Sequence, residues 1–204
     1  MLAITDHNAS AHIPAALRLA DEFNLTVVPG MEVNSREEVH VLALFAQLDS
    51  LTSFQALVDQ SLPAEKNRPE FFGYQTIYDE YDEVIDLDEQ LRQVGTSLTL
   101  QALTKEIRQR GGIIIPAHVL RRSYSLKSQL GFISETSDFD ALQISAESWQ
   151  ARQFCVGDRL HNFPVLRASD AHFLEDVGKA PTEIRQTATD IRSLMRFLQQ
   201  GDVR

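Results

Sequence analysis

The stretch Ala3-Ile4-Thr5-Asp6-His7-Asn8 places ionisable groups directly behind a short apolar segment. We interpret Met1–Thr5 as a buried strand that presents Asp6 and His7 at its C-terminal end. A helix is expected next, because Pro14 suits a first helical turn and apolar residues recur at helical spacing. The residues expected on its apolar face are Leu17, Ala20 and Phe23. A strand followed by a helix is the repeating unit of α/β domains.

The same order recurs along the chain. Further strands are predicted at Thr26–Val28, Val39–Phe45, Ile113–Ile115, Phe139–Ser145 and Val165–Ala168. Thr99 is expected to cap a helix, and another helix closes the chain around Asp190–Gln199. Strands that alternate with helices predict parallel pairing through right-handed crossovers. We therefore expect a barrel-like α/β domain.

Four of the predicted strands end in histidine or in acidic residues, and a fifth begins with His40. The four strand ends are Thr5-Asp6-His7, Pro29-Gly30-Met31-Glu32, Pro116-Ala117-His118 and Ser169-Asp170-Ala171-His172. In barrel-like α/β folds the C-terminal strand ends form the active face, so these groups should converge on one cavity. A single histidine is more often a structural residue, but four such strand ends favour metal ligation. Imidazole and carboxylate ligands suit zinc, manganese or iron.

Composition narrows the class of protein. The 204 residues suffice for one domain, residues 1–204, with a variable helical or loop insertion at about 49–97. The net charge of −10 argues against a nucleic-acid partner, although bound cations would still allow a phosphorylated substrate. The single cysteine, Cys155, permits no intrachain disulfide and fits a cytoplasmic location. No apolar run approaches the ~18 residues of a membrane span, so no membrane partner is expected.

Five segments resemble successive motifs of the PHP (polymerase and histidinol phosphatase) family of metal-dependent phosphoesterases. In the family's order they are Ala3-Ile4-Thr5-Asp6-His7-Asn8, Pro29-Gly30-Met31-Glu32-Val33, His40-Val41-Leu42, Pro116-Ala117-His118 and Ser169-Asp170-Ala171-His172. Any one motif is weak, whereas five in order are specific. The resemblance implies a distorted (β/α)7 barrel that hydrolyses phosphoesters with two or three divalent ions, which are Mn, Zn or Fe.

The resemblance also implies roles for particular residues. The implied metal ligands are His7, Glu32, His40, His118, Asp170 and His172. Asp170 and His172 are also the implied catalytic residues, with Asp170 bridging metals or orienting the attacking water. Asp6 is expected to orient an imidazole from behind the ligands.

The sequence departs from the family pattern in two places. Members normally begin with a strand that carries His-x-His and a nearby Asp, and this sequence has no counterpart to it. We therefore expect a barrel that lacks its first strand and helix, binds fewer metals and self-associates through exposed barrel edges. Where members often carry an acidic residue this chain has Gln143, to which we assign no role.

The expected activity is hydrolysis of a small phosphorylated substrate (a nucleotide, sugar or amino-alcohol phosphate) by a metal-activated water. Arg121, Arg122 and Lys127 follow the His118 strand end, and they either hold the substrate phosphate or form an ordinary solvated loop. Two alternatives stay open. One is a catalytically impaired remnant that binds a metal or a partner, and the other is a nuclease or proofreading module.

Overall fold

The computed structural model describes residues 1–153, 159–184 and 190–200 as a mixed α/β fold. Cys155 lies outside the described residues. The strands are β1 (Leu2–Ile4), β2 (Val27–Asn34), β3 (His40–Leu44), β4 (Thr76–Tyr78), β5 (Val84–Leu87), β6 (Ile113–Pro116), β7 (Leu142–Ile144), β8 (Arg159–Leu160) and β9 (Phe163–Arg167). The helices are α1 (Ile13–Ala20), α2 (Leu48–Ser61), α3 (Pro69–Phe72), α4 (Leu100–Gln109), α5 (Leu126–Leu130), α6 (Ala146–Ala151) and α7 (Ile191–Gln200), with a 3-10 turn at Leu174–Asp176.

The strands form three sheets. The largest has the order β1-β2-β3-β6, the second is the β4-β5 hairpin, and the third has the order β7-β9-β8. β1 pairs with β2, and β7 with β9, in parallel, whereas β3 is antiparallel to both β2 and β6. Our expectation of uniformly parallel strands is wrong for β3, because residues 35–39 are too short a link for a parallel crossover. The described segments contain no closed barrel, so the (β/α)7 architecture is not confirmed.

β2 is longer than the sequence indicated. We expected the strand to end at Pro29-Gly30, but it continues to Asn34 and therefore contains Glu32. The carbonyl of Pro29 accepts a hydrogen bond from the Phe45 amide at 2.8 Å, so the proline does not interrupt the pairing on that side. A Cβ at Gly30 would lie 2.8 Å from the Leu44 side chain, so glycine permits the close packing at this position.

The core lies on both faces of the largest sheet. On β3, Val41 and Ala43 belong to one apolar cluster and Leu44 to the other, as the two-residue repeat of a strand requires. Helices α2 and α4 pack into the first cluster, and α7 packs into the second. Thr99 caps α4 as predicted, since its hydroxyl accepts the amide of Ala102 at 3.1 Å. Two layers of helix around the sheet hold the strand ends in place.

Several apolar side chains of the chain are exposed. Phe23, which we expected on the inward face of the first helix, lies beyond the end of α1 and is 73% exposed. All four residues of β5, the second strand of the β4-β5 hairpin, are also exposed. Across the described ranges, no helix is both long enough and apolar enough to cross a membrane.

Candidate metal centre

Backbone pairing brings the end of β1 against the middle of β2. His7 and Glu32 form an isolated parallel bridge just beyond the paired residues of the two strands. The Glu32 amide donates to the Asp6 carbonyl at 3.1 Å, and the Asn8 amide donates to the Glu32 carbonyl at 2.8 Å. These two bonds hold His7 beside Glu32.

Two further histidines join this pair from neighbouring strands. His40 is the first residue of β3, and His118 follows the last residue of β6 by two positions. One ligand atom from each of His7, Glu32 and His40 lies within 4.8 Å of the others. His118 Nε2 is 3.5 Å from Glu32 Oε1, and its ring centroid is 5.2 Å from that of His40. One carboxylate is thus surrounded by three imidazoles.

The polar atoms of this cluster are crowded but poorly hydrogen-bonded. His40 Nδ1 lies 2.8 Å from Glu32 Oε1, yet the pair lacks the alignment of a hydrogen bond. Both atoms are buried without a hydrogen-bond partner among the described residues, and so is Nδ1 of His118. Buried polar atoms normally have partners. Convergent nitrogen and oxygen atoms without partners fit a metal ion, which would satisfy them together.

The charges of the cluster also suit a cation. Burial alone would raise the pKa of the Glu32 carboxyl, but contacts with His118 and His40 outweigh it and hold that pKa well below 4.5. Burial lowers the pKa of His7 from its ordinary 6.5, although the charge of Glu32 opposes the shift. Glu32 is therefore ionised and His7 neutral at pH 7, which are the protonation states that metal binding requires.

Asp170 and His172 lie at the exposed edge of the same site. Asp170 Oδ2 is 3.3 Å from Arg121 Nη1, and His172 Nδ1 is 2.9 Å from the Asp170 carbonyl. Both residues are close enough to His7 to influence its pKa, with His172 lowering it and Asp170 raising it. The loop after β9 and the loop after β6 therefore meet above the buried cluster.

The remaining predicted site residues lie farther out. Asp6 is exposed, and its carboxylate contacts Nδ1 of His12 at 3.2 Å instead of a predicted ligand. Arg122 and Lys127 are also exposed, the first in the loop after β6 and the second in α5.

Gln143 contributes a contact that sequence reasoning missed. From the buried strand β7, its side-chain oxygen accepts the backbone N–H of His118. His118 has a φ of 33°, a conformation that residues other than glycine seldom adopt, so an acceptor at this position stabilises an unfavourable backbone. The available signal was that Gln143 stands where members of the family often carry an acidic residue. Nothing in the order of residues along the chain linked Gln143 to His118.

Tyr124 was also missed. Its ring stacks on His40 with the centroids 4.8 Å apart, and its carbonyl accepts the His40 amide at 3.1 Å. Tyr124 is 44% exposed, so it covers one side of the buried imidazole while its own outer side faces solvent. Its isolated position in a polar loop carries no signal of this contact.

Replacing Gln143 by leucine is expected to destabilise the protein. The His118 amide would lose its acceptor inside the core, which costs about 1–3 kcal/mol of unfolding free energy. Urea unfolding measures the change. Gln101→Leu, at an exposed position of α4, is the control and should change little. Equal stability of the two variants would contradict the role given to Gln143.

The C-terminal part of the chain matches a known family in sequence. Residues 151–203 match a family model described as PHP-associated. The PHP resemblance is confirmed. The chain is also similar to the uncharacterized protein YqxK of Bacillus subtilis, with 30% identity over 114 residues. That match covers 53% of this chain and 28% of YqxK, so the chain spans less than a third of that relative's length.

Solved structures share the fold. The lesion-specific endonuclease Q of Pyrococcus furiosus is similar with a TM-score of 0.55 and 18% identity, covering 86% of this chain and 39% of the endonuclease. A protein of Bifidobacterium adolescentis described as a metal-dependent phosphoesterase is similar with a TM-score of 0.50 and 18% identity. The match covers 98% of this chain and 86% of the Bifidobacterium protein. At such identities the likeness concerns the PHP-type fold.

Our expectation from the net charge, which argued against a nucleic-acid partner, is wrong. Endonuclease Q in complex with a 27-mer duplex, with an abasic lesion at its active site, is similar with a TM-score of 0.50 and 14% identity, covering 86% of this chain and 40% of that one. A protein of this PHP-type fold therefore acts on DNA. The net charge of −10 misled us because it averages the whole surface, whereas an enzyme contacts a phosphate backbone through a few local groups.

Proposed function

We propose that this chain is a divalent-metal-dependent phosphoesterase that cleaves phosphodiester bonds in DNA. The observation that carries the proposal is the buried Glu32 carboxylate among His7, His40 and His118, with polar atoms that lack hydrogen-bond partners among the described residues. The DNA substrate is supported by the likeness to endonuclease Q. Residues 1–204 would form one PHP-like domain.

His7, Glu32 and His40 would hold the ion, and His118 is close enough to complete its coordination. When bound, a divalent ion supplies an activated water and polarises the phosphoryl group. Nitrogen and oxygen ligands of this kind suit manganese, zinc or iron. Asp170 and His172 stand at the open edge, where they would take part in binding the ion and orienting the attacking water.

Arg121 would contact the phosphate. One of its nitrogens touches Asp170, while 55% of the side chain is exposed, so the rest of the guanidinium fork is accessible to a phosphate. Arg122 and Lys127 are exposed nearby in the sequence and would add positive charge on the approach. Tyr124, stacked on His40, offers its outer side to a nucleobase.

A cleavage assay tests the proposal. The purified 204-residue chain, with Mn²⁺ or with a chelator, is given three substrates: a labelled duplex with one abasic site, the same duplex undamaged, and p-nitrophenyl phosphate. We expect Mn²⁺-dependent cleavage of DNA that is lost in Asp170→Asn, because that carboxylate lies at the edge of the cluster. His161→Ala changes an exposed residue outside the site and serves as the control.

Other outcomes are equally informative. Turnover of p-nitrophenyl phosphate alone would replace DNA by a small phosphorylated substrate. Bound metal, measured by plasma mass spectrometry, without turnover of any substrate would favour the catalytically impaired remnant. The absence of both bound metal and turnover would refute the proposal.

A further inference from the structure

A polar network joins the metal cluster to the region at 49–97, for which the sequence indicated no role. Asn8 follows His7 and is completely buried. Its side-chain Nδ2 donates to the carbonyls of Arg92, at 2.6 Å, and Val94, at 2.9 Å. Its Oδ1 accepts the Asn34 amide at 3.2 Å. The Asn8 side chain therefore ties the end of β1 both to β2 and to residues 92–94.

Arg92 holds the backbone of Asn8 from the other side. Its Nη1 donates to the Asn8 carbonyl at 3.0 Å and to Asp59 Oδ1 at 2.5 Å, while its Nε donates to Asp88 Oδ2 at 2.6 Å. The side chain is only 14% exposed. A planar guanidinium can make these contacts at the same time, whereas an ammonium is a single point charge on a flexible stem.

The anchor of this network is a helix packed into the core. Asp59 belongs to α2, which packs into the main apolar cluster through Leu51, Phe54 and Val58. Gln55 of the same helix donates to the Asn8 carbonyl at 3.1 Å and to Asp59 at 2.8 Å. Movement of the end of β1 would therefore either break these hydrogen bonds or displace a buried helix.

The network acts on the direction of the chain next to His7. Asn8 has a φ of 49°, a left-handed conformation that asparagine tolerates better than most residues. In that conformation its amide reaches the Glu32 carbonyl, and this bond fixes the His7–Glu32 bridge. Metal ligands must be held to within about 0.5 Å of their working positions, so such support is a functional requirement.

We propose that Arg92 and Asn8 form a positioning clamp that fixes His7 opposite Glu32, making α2 and residues 88–94 the support of the metal centre. Neither Arg92 nor Asn8 supplies a ligand atom to the cluster. The proposal rests on the proposed metal site and adds to it the residues that set the geometry of that site.

The test uses two variants and one matched control in the 204-residue chain. Arg92→Lys keeps the charge but cannot make the three contacts together. Asn8→Gly keeps the left-handed conformation accessible and removes the side-chain hydrogen bonds. Arg108→Lys is the control, because Arg108 likewise binds two carboxylates, Asp138 at 2.7 Å and Asp140 at 3.0 Å, away from the cluster.

Two readouts separate positioning from general stability. The first is the Mn²⁺ dissociation constant, measured by calorimetry on folded protein well below the melting temperature. We expect Arg92→Lys and Asn8→Gly to weaken binding by about tenfold or more, as outer partners of metal ligands do. Arg108→Lys should lower the melting temperature without changing the dissociation constant.

The second readout needs no metal. Amide hydrogen exchange of the peptide that covers residues 6–9 should accelerate in Arg92→Lys and Asn8→Gly, and stay as in the wild type in Arg108→Lys. Unchanged exchange and unchanged Mn²⁺ affinity in the folded variants would overturn the clamp. If Arg92→Lys does not fold, Asn8→Gly decides. If the wild type binds no Mn²⁺, the proposed function fails, and hydrogen exchange alone decides the clamp.

Discussion

Replacing Glu32 by glutamine is expected to abolish metal binding by the central cluster. Its carboxylate lies in the ligand cluster with His7 and His40 and 3.5 Å from His118, and glutamine has nearly the same shape without the charge. Outer partners alone change metal affinity by about 10–100-fold, so losing the carboxylate itself should weaken Mn²⁺ binding by more than about 100-fold. Calorimetry and metal content measured by mass spectrometry test this expectation.

Glu22→Gln is the matched control, because Glu22 is exposed and lies just beyond α1. It should bind Mn²⁺ as the wild type does. Equal binding by the Glu32 and Glu22 variants would show that the ion, if bound, lies elsewhere. Metal-dependent cleavage of DNA should disappear together with the bound ion in Glu32→Gln.

The pH dependence of stability provides a second measurement on the same variant. The pKa of Glu32 lies below its ordinary value of 4.5 in the folded state, so its contribution to the unfolding free energy is present above pH 4.5. That contribution is lost as the pH falls towards the folded-state pKa. Below pH 4.5, Glu32→Gln should therefore lose stability less steeply than the metal-free wild type in urea unfolding.

Replacing Phe54 by alanine is expected to cause the largest loss of stability. Phe54 is fully buried in α2, and its ring lies 5.3 Å from that of Phe45, which follows β3. Truncating a buried phenylalanine costs about 3–5 kcal/mol, which is a large part of the ~5–15 kcal/mol that stabilises a typical domain. Urea or thermal unfolding of the metal-free protein measures the change.

Phe71→Ala is the control for this prediction, since Phe71 also lies within residues 49–97 but is 72% exposed. An exposed substitution of this kind should change the unfolding free energy by no more than about 0.5 kcal/mol. If both variants unfolded alike, α2 would not belong to the core. Phe54→Ala should also weaken Mn²⁺ binding if α2 anchors the clamp formed by Arg92 and Asn8.

The sequence by itself predicted which residues form the candidate site and indicated where most of the strands lie. A strand that ends in histidine can be recognised locally, because its apolar run and its polar terminus are consecutive in the chain. For that reason the local pattern alone points to His7 and His118, a strand that begins with histidine points to His40, and the last motif points to Asp170 and His172. The role of each as a ligand stays a prediction.

Only the tertiary structure decided which strands are neighbours and what supports the site. The antiparallel pairing of β3 and the extension of β2 through Glu32 depend on partners distant in the chain, which local patterns do not encode. The contact of Gln143 with His118 and the clamp of Arg92 on Asn8 join residues 25 and 84 positions apart. Such contacts follow from packing of the whole chain, because each side chain is ordinary in its local sequence and acquires its role only from its neighbour in space.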